Sequence, residues 1–339
     1  MKIIVELISK CNWINNFFSM FWKDKREKKS SDWSKDGVEE RFFNSFDGTR
    51  IAYYTVGSGN KTFILVNGLG GTYKAWRHLY NYFKDRFRII SWDYRGTYRS
   101  SVPEDSTFLR MEDHVRDALL LCEKEGVSSA IWAGWSMGVQ LSLEIYRHAP
   151  DLFRALILIN GTSGRAFDTA FSWKGSAVVL PFIAEIAKRT ALPLSFAGRT
   201  VTKWKGFIKL MKKAGIVGET LDEEIFASLA KDFATLDIQS YMTIFKTLGE
   251  HDAGDVLSRL DLPVLIIAGE KDPFTPQKAA EKMARRIRGS EISIVPGGTH
   301  YVPVEYPELL NLRIEKFLKE RGILLPVKQI KQDEQLLDN

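Results

Sequence analysis

The chain has 339 residues, 45% of them hydrophobic, and carries 48 Lys and Arg against 42 Asp and Glu for a formal net charge of +6. That length and apolar content suit one large α/β domain with an insertion, and they exclude a disordered chain or a small disulfide-stapled scaffold. Its two cysteines, Cys11 and Cys122, lie far apart in unlike settings, which argues against a disulfide framework and fits a reducing compartment. No cluster of Cys and His suggests a metal site, and there is no internal repeat.

Residues 1–30 read as an amphipathic helix followed by a basic linker. Ile3, Ile4, Leu7, Ile8, Cys11, Ile14, Phe18, Phe21 and Trp22 recur at three- and four-residue steps, and Lys23 to Lys29 holds five basic residues against two acidic ones. Glu6, Lys10 and the asparagines make a membrane-spanning helix costly, and Glu6 interrupts what would be the apolar region of a cleavable signal peptide. Three readings stay open: a peripheral anchor on an anionic membrane, a helix docked on the rest of the protein, or an oligomer contact. The expected location is cytoplasmic, peripheral on the membrane where the first reading holds.

The core begins near residue 31 and runs to 160. Strands are predicted at 38–46 and 50–56, joined by the hairpin signal Asp47-Gly48, and at 62–66 and 87–92. After the third strand comes Asn67-Gly68-Leu69-Gly70-Gly71, whose glycines let main chain approach a substrate closely. This loop has neither the lysine and hydroxyl of a phosphate loop nor the G-x-G-x-x-G spacing of a dinucleotide site. A helix over 111–125 leads to an apolar strand at 130–133, then Gly134-Trp135-Ser136-Met137-Gly138, then a helix over 139–147. In that setting the pentapeptide is a nucleophile elbow, a sharp strand-to-helix turn that lifts a serine hydroxyl above a sheet edge.

Beyond a strand at 155–160, residues 161–260 are too many for an ordinary connection and have helical patterning, so they are expected to form a helical cap insertion over Ser136. Val178, Val179, Leu180, Phe182 and Ile183 would either line a pocket or pack the cap onto the core. From 161 to 218 there are ten basic residues against two acidic ones. There Trp204, Phe207, Ile208 and Met211 share a helical face among lysines, as in a helix lying on an anionic membrane or one packed inward with solvated lysines. The core resumes over 261–325, with strands at 263–268 and 291–295 and a helix over 307–320 that ends near Gly322. The polar tail, 326–339, is expected to be mobile.

A serine hydroxyl is a weak nucleophile until a histidine takes its proton and a carboxylate orients that histidine. After an elbow these follow in the order acid, then histidine, which selects Asp272 past the strand at 263–268 and His300 past the strand at 291–295. Glu270 is the nearest rival to Asp272, and Asn160-Gly161 occupies the preceding strand end. Of the other histidines, His78, His114, His148 and His251 are expected to be solvated or locally bonded. Main-chain N–H groups of Leu69 and Met137 would hold the oxyanion, and Asn67, Gly68 and Trp135 would contact substrate.

Taken together, the Asn67-Gly68 loop, the segment Asp93-Tyr-Arg-Gly-Thr-Tyr-Arg-Ser100, the elbow at Ser136, Asp272 and His300 resemble the α/β-hydrolase fold superfamily, with an esterase-like or lipase-like triad and an inserted cap. The resemblance runs from about residue 41 to about 322 and implies a mostly parallel eight-stranded sheet with helices on both faces. Two positions depart from it: Asn67 stands where the family's loop commonly opens with histidine, and Tyr98 where related sequences often have glycine. Serine at the elbow argues against the branches that use an aspartate nucleophile. The reaction expected is cleavage of a carboxylic ester, a small molecule or a lipid, with no cofactor, no metal and no nucleic-acid partner. The same triad would equally serve an acyltransferase, a thioesterase or a carbon-carbon bond hydrolase, and a ligand-binding receptor on the same fold is the rival from another class.

Overall fold

The computed structural model describes residues 36–169 and 206–324. Eight strands form one sheet in the order β1-β2-β4-β3-β5-β6-β7-β8. They are β1 (Glu39–Asn44), β2 (Arg50–Val56), β3 (Lys61–Val66), β4 (Phe87–Trp92), β5 (Ala130–Trp135), β6 (Phe153–Ile159), β7 (Val264–Gly269) and β8 (Glu291–Val295). β2 runs antiparallel to both neighbours, and every pair from β4 to β8 is parallel. The Asp47-Gly48 hairpin joins β1 and β2, with Gly48 at φ 81°.

β5 and β7 are buried at every position and β6 at all but one, as expected of strands covered on both faces. Alternation along β3 divides the covering. Ile64 and Val66 enter the core shared with α2 (Met111–Lys124), α3 (Met137–His148) and α8 (Gln277–Arg286). Phe63, on the other face, packs edge-on against Phe83 at the end of α1 (Arg77–Phe83), which itself packs against α10 (Pro307–Glu320). Gly322 closes α10 at φ 65°.

Between β6 and β7 the described helices are α4 (Ala166–Thr169), α5 (Phe207–Lys213), α6 (Glu223–Phe233) and α7 (Ile238–Glu250). Asp222 caps α6 by accepting from the Glu224 and Ile225 N–H groups, and Asp237 caps α7 by accepting from Ser240. α6 packs on the short turn Tyr73–Trp76, and α7 on α4 and α2. The predicted N-terminal helix, Trp204, the apolar run around Val178 and the polar tail lie outside the described residues. Within α5, Lys212 bonds the Glu223 carboxylate at 2.7 Å and the Glu219 carbonyl at 3.3 Å, so this lysine is engaged by the protein itself.

Parallel pairing from β3 to β8 has one consequence for chemistry. The loops after β3, β5, β6, β7 and β8 all leave the same edge of the sheet, side by side, where ligands bind in open α/β sheets. They carry Asn67 to Gly71, Ser136, Asn160, Asp272 and His300.

Candidate active site

β5 turns into α3 through Ser136, whose φ of 57° and ψ of −117° put a non-glycine residue in a sparsely populated conformation. The turn is tight enough to need both flanking glycines. A Cβ at Gly134 would stand 2.3 Å from the Gly138 carbonyl oxygen, and one at Gly138 would stand 2.2 Å from that of Val66. The Ser136 N–H donates to the Ile159 carbonyl at 3.0 Å, which ties the elbow to the neighbouring strand end. Ser136 as a whole is half-buried.

His300 follows β8 in the loop before α9 (Val302–Glu305). Its Nε2 lies 2.8 Å from the Ser136 Oγ, and its Nδ1 lies 2.8 Å from the Asp272 Oδ2. The structure therefore joins Ser136, His300 and Asp272 in one hydrogen-bonded chain. Glu270, the rival acid, instead accepts from the Gly297 N–H at 2.9 Å.

Asp272 is fully enclosed but well supplied with donors. Its Oδ1 accepts from the N–H groups of Phe274 and Thr275, and its Oδ2 from the Thr275 hydroxyl at 2.8 Å and the Asn160 amide at 2.7 Å. Burial acts to raise this carboxyl, but the adjoining His300 imidazole and these hydrogen bonds outweigh it and hold the group below its ordinary range. Asp272 is thus kept ionised beside the imidazole.

The loop after β3 closes as a turn, with the Gly71 N–H donating to the Gly68 carbonyl at 2.9 Å and Gly70 at φ 82° in its third position. That arrangement needs a glycine or similar residue at Gly70 and leaves the Leu69 N–H outside the turn's own hydrogen bond. Gly68 abuts the elbow: a Cβ there would stand 3.1 Å from the Ser136 Cβ. Met137 is the first residue of α3, where N–H groups have no intrahelical acceptor and the helix dipole favours negative charge. The Leu69 and Met137 N–H groups are thus both left without a hydrogen bond from their own turn or helix.

Two expected substrate contacts are residues whose side-chain polar groups are engaged within the protein. The Asn67 side chain is 1% exposed; its amide donates to the Trp92 carbonyl at 2.7 Å and its oxygen accepts from the Trp76 indole at 2.8 Å. An amide so fully bonded holds the loop in place. Trp135, 4% exposed, donates from its indole to the His300 carbonyl at 2.8 Å and packs beside the imidazole and Tyr301. It braces the histidine loop from within.

The sequence profile of the alpha/beta hydrolase family matches residues 63–311. The chain belongs to that family. It is 26% identical to 3-oxoadipate enol-lactonase 2 of Acinetobacter baylyi, over 79% of this chain and 93% of that protein. It is 24% identical to the Karrikin insensitive 2 receptor IA of Petunia hybrida, over 76% and 90%. In fold it is similar to a thermophilic esterase from Thermogutta terrifontis, with a TM-score of 0.67 and 22% identity over 83% of this chain and 98% of that one.

Other side chains of this hydrolase-family member bear on the site without having been singled out. Asn160, at φ 45°, donates to Asp272 and to the Thr299 carbonyl at 3.0 Å. Glu305 accepts from Thr299, one residue before His300, through both its N–H at 2.8 Å and its hydroxyl at 2.5 Å, and also from the Gly218 N–H at 2.6 Å. It thereby ties the β6–β7 insertion to the histidine loop. Among the described residues no group of three or more His, Cys, Asp and Glu is placed to hold a metal ion.

The remaining histidines divide. His78 pairs with Asp222 at 2.9 Å, His251 with Glu144 at 3.1 Å and His148 with Glu144 at 3.4 Å. His114 corrects the expectation of a solvated or locally bonded ring. It faces the core on α2, is 1% exposed, packs edge-on against Tyr94 and has no hydrogen-bond partner at either nitrogen. Burial, followed by the nearby Arg95 charge, lowers its pKa to about 3.

Proposed function

We propose that this protein cleaves carboxylic esters through an acyl-enzyme on Ser136. The observation that carries the reading is the unbroken chain Asp272–His300–Ser136, with 2.8 Å at each link. His300 would take the Ser136 proton as the hydroxyl adds to the ester carbonyl, and Asp272 would stabilise the imidazolium so formed. Leu69 and Met137 N–H groups would hold the tetrahedral oxyanion, and His300 would return the proton to the departing alcohol. Water activated by the same histidine would release the acid.

An apolar acyl or alcohol portion is supported by the rings around the serine. Phe274 and Tyr301 pack edge-on to His300, and Phe233, 37% exposed, lies against Gly70. The insertion between β6 and β7 would serve as the cap that excludes water from the acyl-enzyme. Peripheral contact with an anionic bilayer belongs to the same proposal and rests on the sequence of residues 1–30 and 203–213 alone. The names of the enol-lactonase and the esterase agree with chemistry at an ester bond. A ligand-sensing reading has one observation in its favour, the 24% identity to the petunia receptor.

Hydrolysis of p-nitrophenyl esters of increasing acyl length by the full-length protein, with and without anionic vesicles, tests the proposal. Turnover should fall by at least about 10⁴-fold in Ser136→Ala. Undiminished turnover in that variant would end the acyl-enzyme reading. Slow turnover coupled to a stable ligand-bound state would favour the sensing one.

A further inference from the structure

Among the described residues three other than glycine take a positive φ: Ser136, Asn160 and Tyr98. The first two belong to the site just described. Tyr98, at φ 47°, follows β4 in the segment where the family pattern has glycine, and a bulky L-residue is disfavoured there. Strain of this kind persists where surrounding contacts overdetermine it.

The contact in question is a hydrogen bond. The Tyr98 hydroxyl donates to the Gly70 carbonyl at 2.5 Å. Burial holds this phenol well above its ordinary pKa, so it stays a donor throughout the pH range of the fold. Three of the five residues in the loop are glycine, and such a loop has little of its own to fix peptide orientation. Its first end is pinned by the Asn67 side chain and by the Tyr94 hydroxyl, which donates to the Asn67 carbonyl. At the far end, Gly70 lies between the Tyr98 hydroxyl and the Phe233 ring, which would stand 3.0 Å from a Cβ at this position. Leu69 sits between the two anchors.

We propose that Tyr98 is a positioning residue for the oxyanion site: its hydrogen bond to the Gly70 carbonyl locks the turn in the orientation that presents the Leu69 N–H to the oxygen bound at Ser136. The inference rests on the serine-hydrolase reading. A ring that merely filled space would do its work equally well without the hydroxyl.

Tyr98→Phe keeps the ring and deletes the donor; Tyr98→Gly also relieves the backbone. With p-nitrophenyl butyrate, both variants should lose on the order of tenfold in kcat with KM changed less than about twofold. Inhibition by a trifluoromethyl ketone, which places an oxyanion at the same point, should weaken by about the factor lost in kcat/KM. Wild-type kcat in Tyr98→Phe, or a loss confined to KM, overturns the assignment while leaving the serine-hydrolase reading intact. A wild-type protein whose Ser136 neither turns over esters nor reacts with a fluorophosphonate overturns both.

Discussion

Asn160→Gly removes the one side-chain amide that holds Asp272 from the end of β6, and glycine accepts the φ of 45° found there. Two hydrogen bonds go with it, 2.7 Å to a carboxylate oxygen and 3.0 Å to the Thr299 carbonyl. A bond to a charged acceptor contributes about 1.5–3 kcal/mol and a neutral one about 1 kcal/mol, so urea unfolding should show a loss of roughly 2–4 kcal/mol. The effect on rate is smaller, because Asp272 keeps donors at Phe274, both groups of Thr275 and His300. A fall in kcat of about tenfold with p-nitrophenyl butyrate is expected, against a fall of order 10⁴-fold for Asp272→Asn, which forces the wrong imidazole tautomer. Asn160→Gly with wild-type kcat and wild-type stability would refute the idea that this amide supports the acid. A loss as large as that of Asp272→Asn would refute the idea that the other donors suffice.

Two further perturbations follow from buried groups outside the Asp272–His300–Ser136 chain. Glu305→Ala deletes the acceptor shared by Gly218 and Thr299; it should cost about 3 kcal/mol in urea unfolding and open the chain near Gly218 to trypsin, and unchanged cleavage would contradict the tie. His114 is lowered to about 3, chiefly by burial, so between that pH and about 6.5 the unfolded chain binds a proton that the folded one refuses. Stability should therefore fall with pH through this window, by about 2 kcal/mol from pH 6.5 to 5. Asp93 acts oppositely: burial raises it to about 7, so the folded state gains protons as pH falls and stability rises. Comparison with His114→Leu, which keeps Asp93, isolates the histidine; parallel pH profiles for the two proteins would contradict it.

The parts of the fold that were legible in the sequence are those governed by local pattern. Apolar runs marked β5, β6 and β7, and the elbow sequence was readable because steric necessity fixes both of its glycines. β5 extends past the predicted end at Ala133 because Gly134 and Trp135 still pair with Leu158 and Ile159. The order acid then histidine selected two residues that the structure joins to Ser136.

What was not legible depends on partners far away along the chain. Trp135 adjoins the serine in sequence and Asn67 opens the glycine-rich loop, yet nothing local reveals that their polar atoms are consumed by Trp76, Trp92 and His300. Asn160 was visible as a polar residue at a strand end, yet its partner lies 112 residues downstream. His114 left a clearer trace: it shares a helix face with Ala118 and Leu121, both buried, and that periodicity points inward. Tyr98 was marked as a departure from glycine, and its role becomes apparent only with the Gly70 carbonyl in place.

We propose Ser136 as the nucleophile, activated by His300. Tandem mass spectrometry of the full-length protein after exposure to a fluorophosphonate tests it most directly. A single adduct is expected, mapped to Ser136, formed much more slowly in His300→Ala and absent from Ser136→Ala. An unmodified Ser136, or an adduct on another residue with ester turnover surviving in Ser136→Ala, would contradict it.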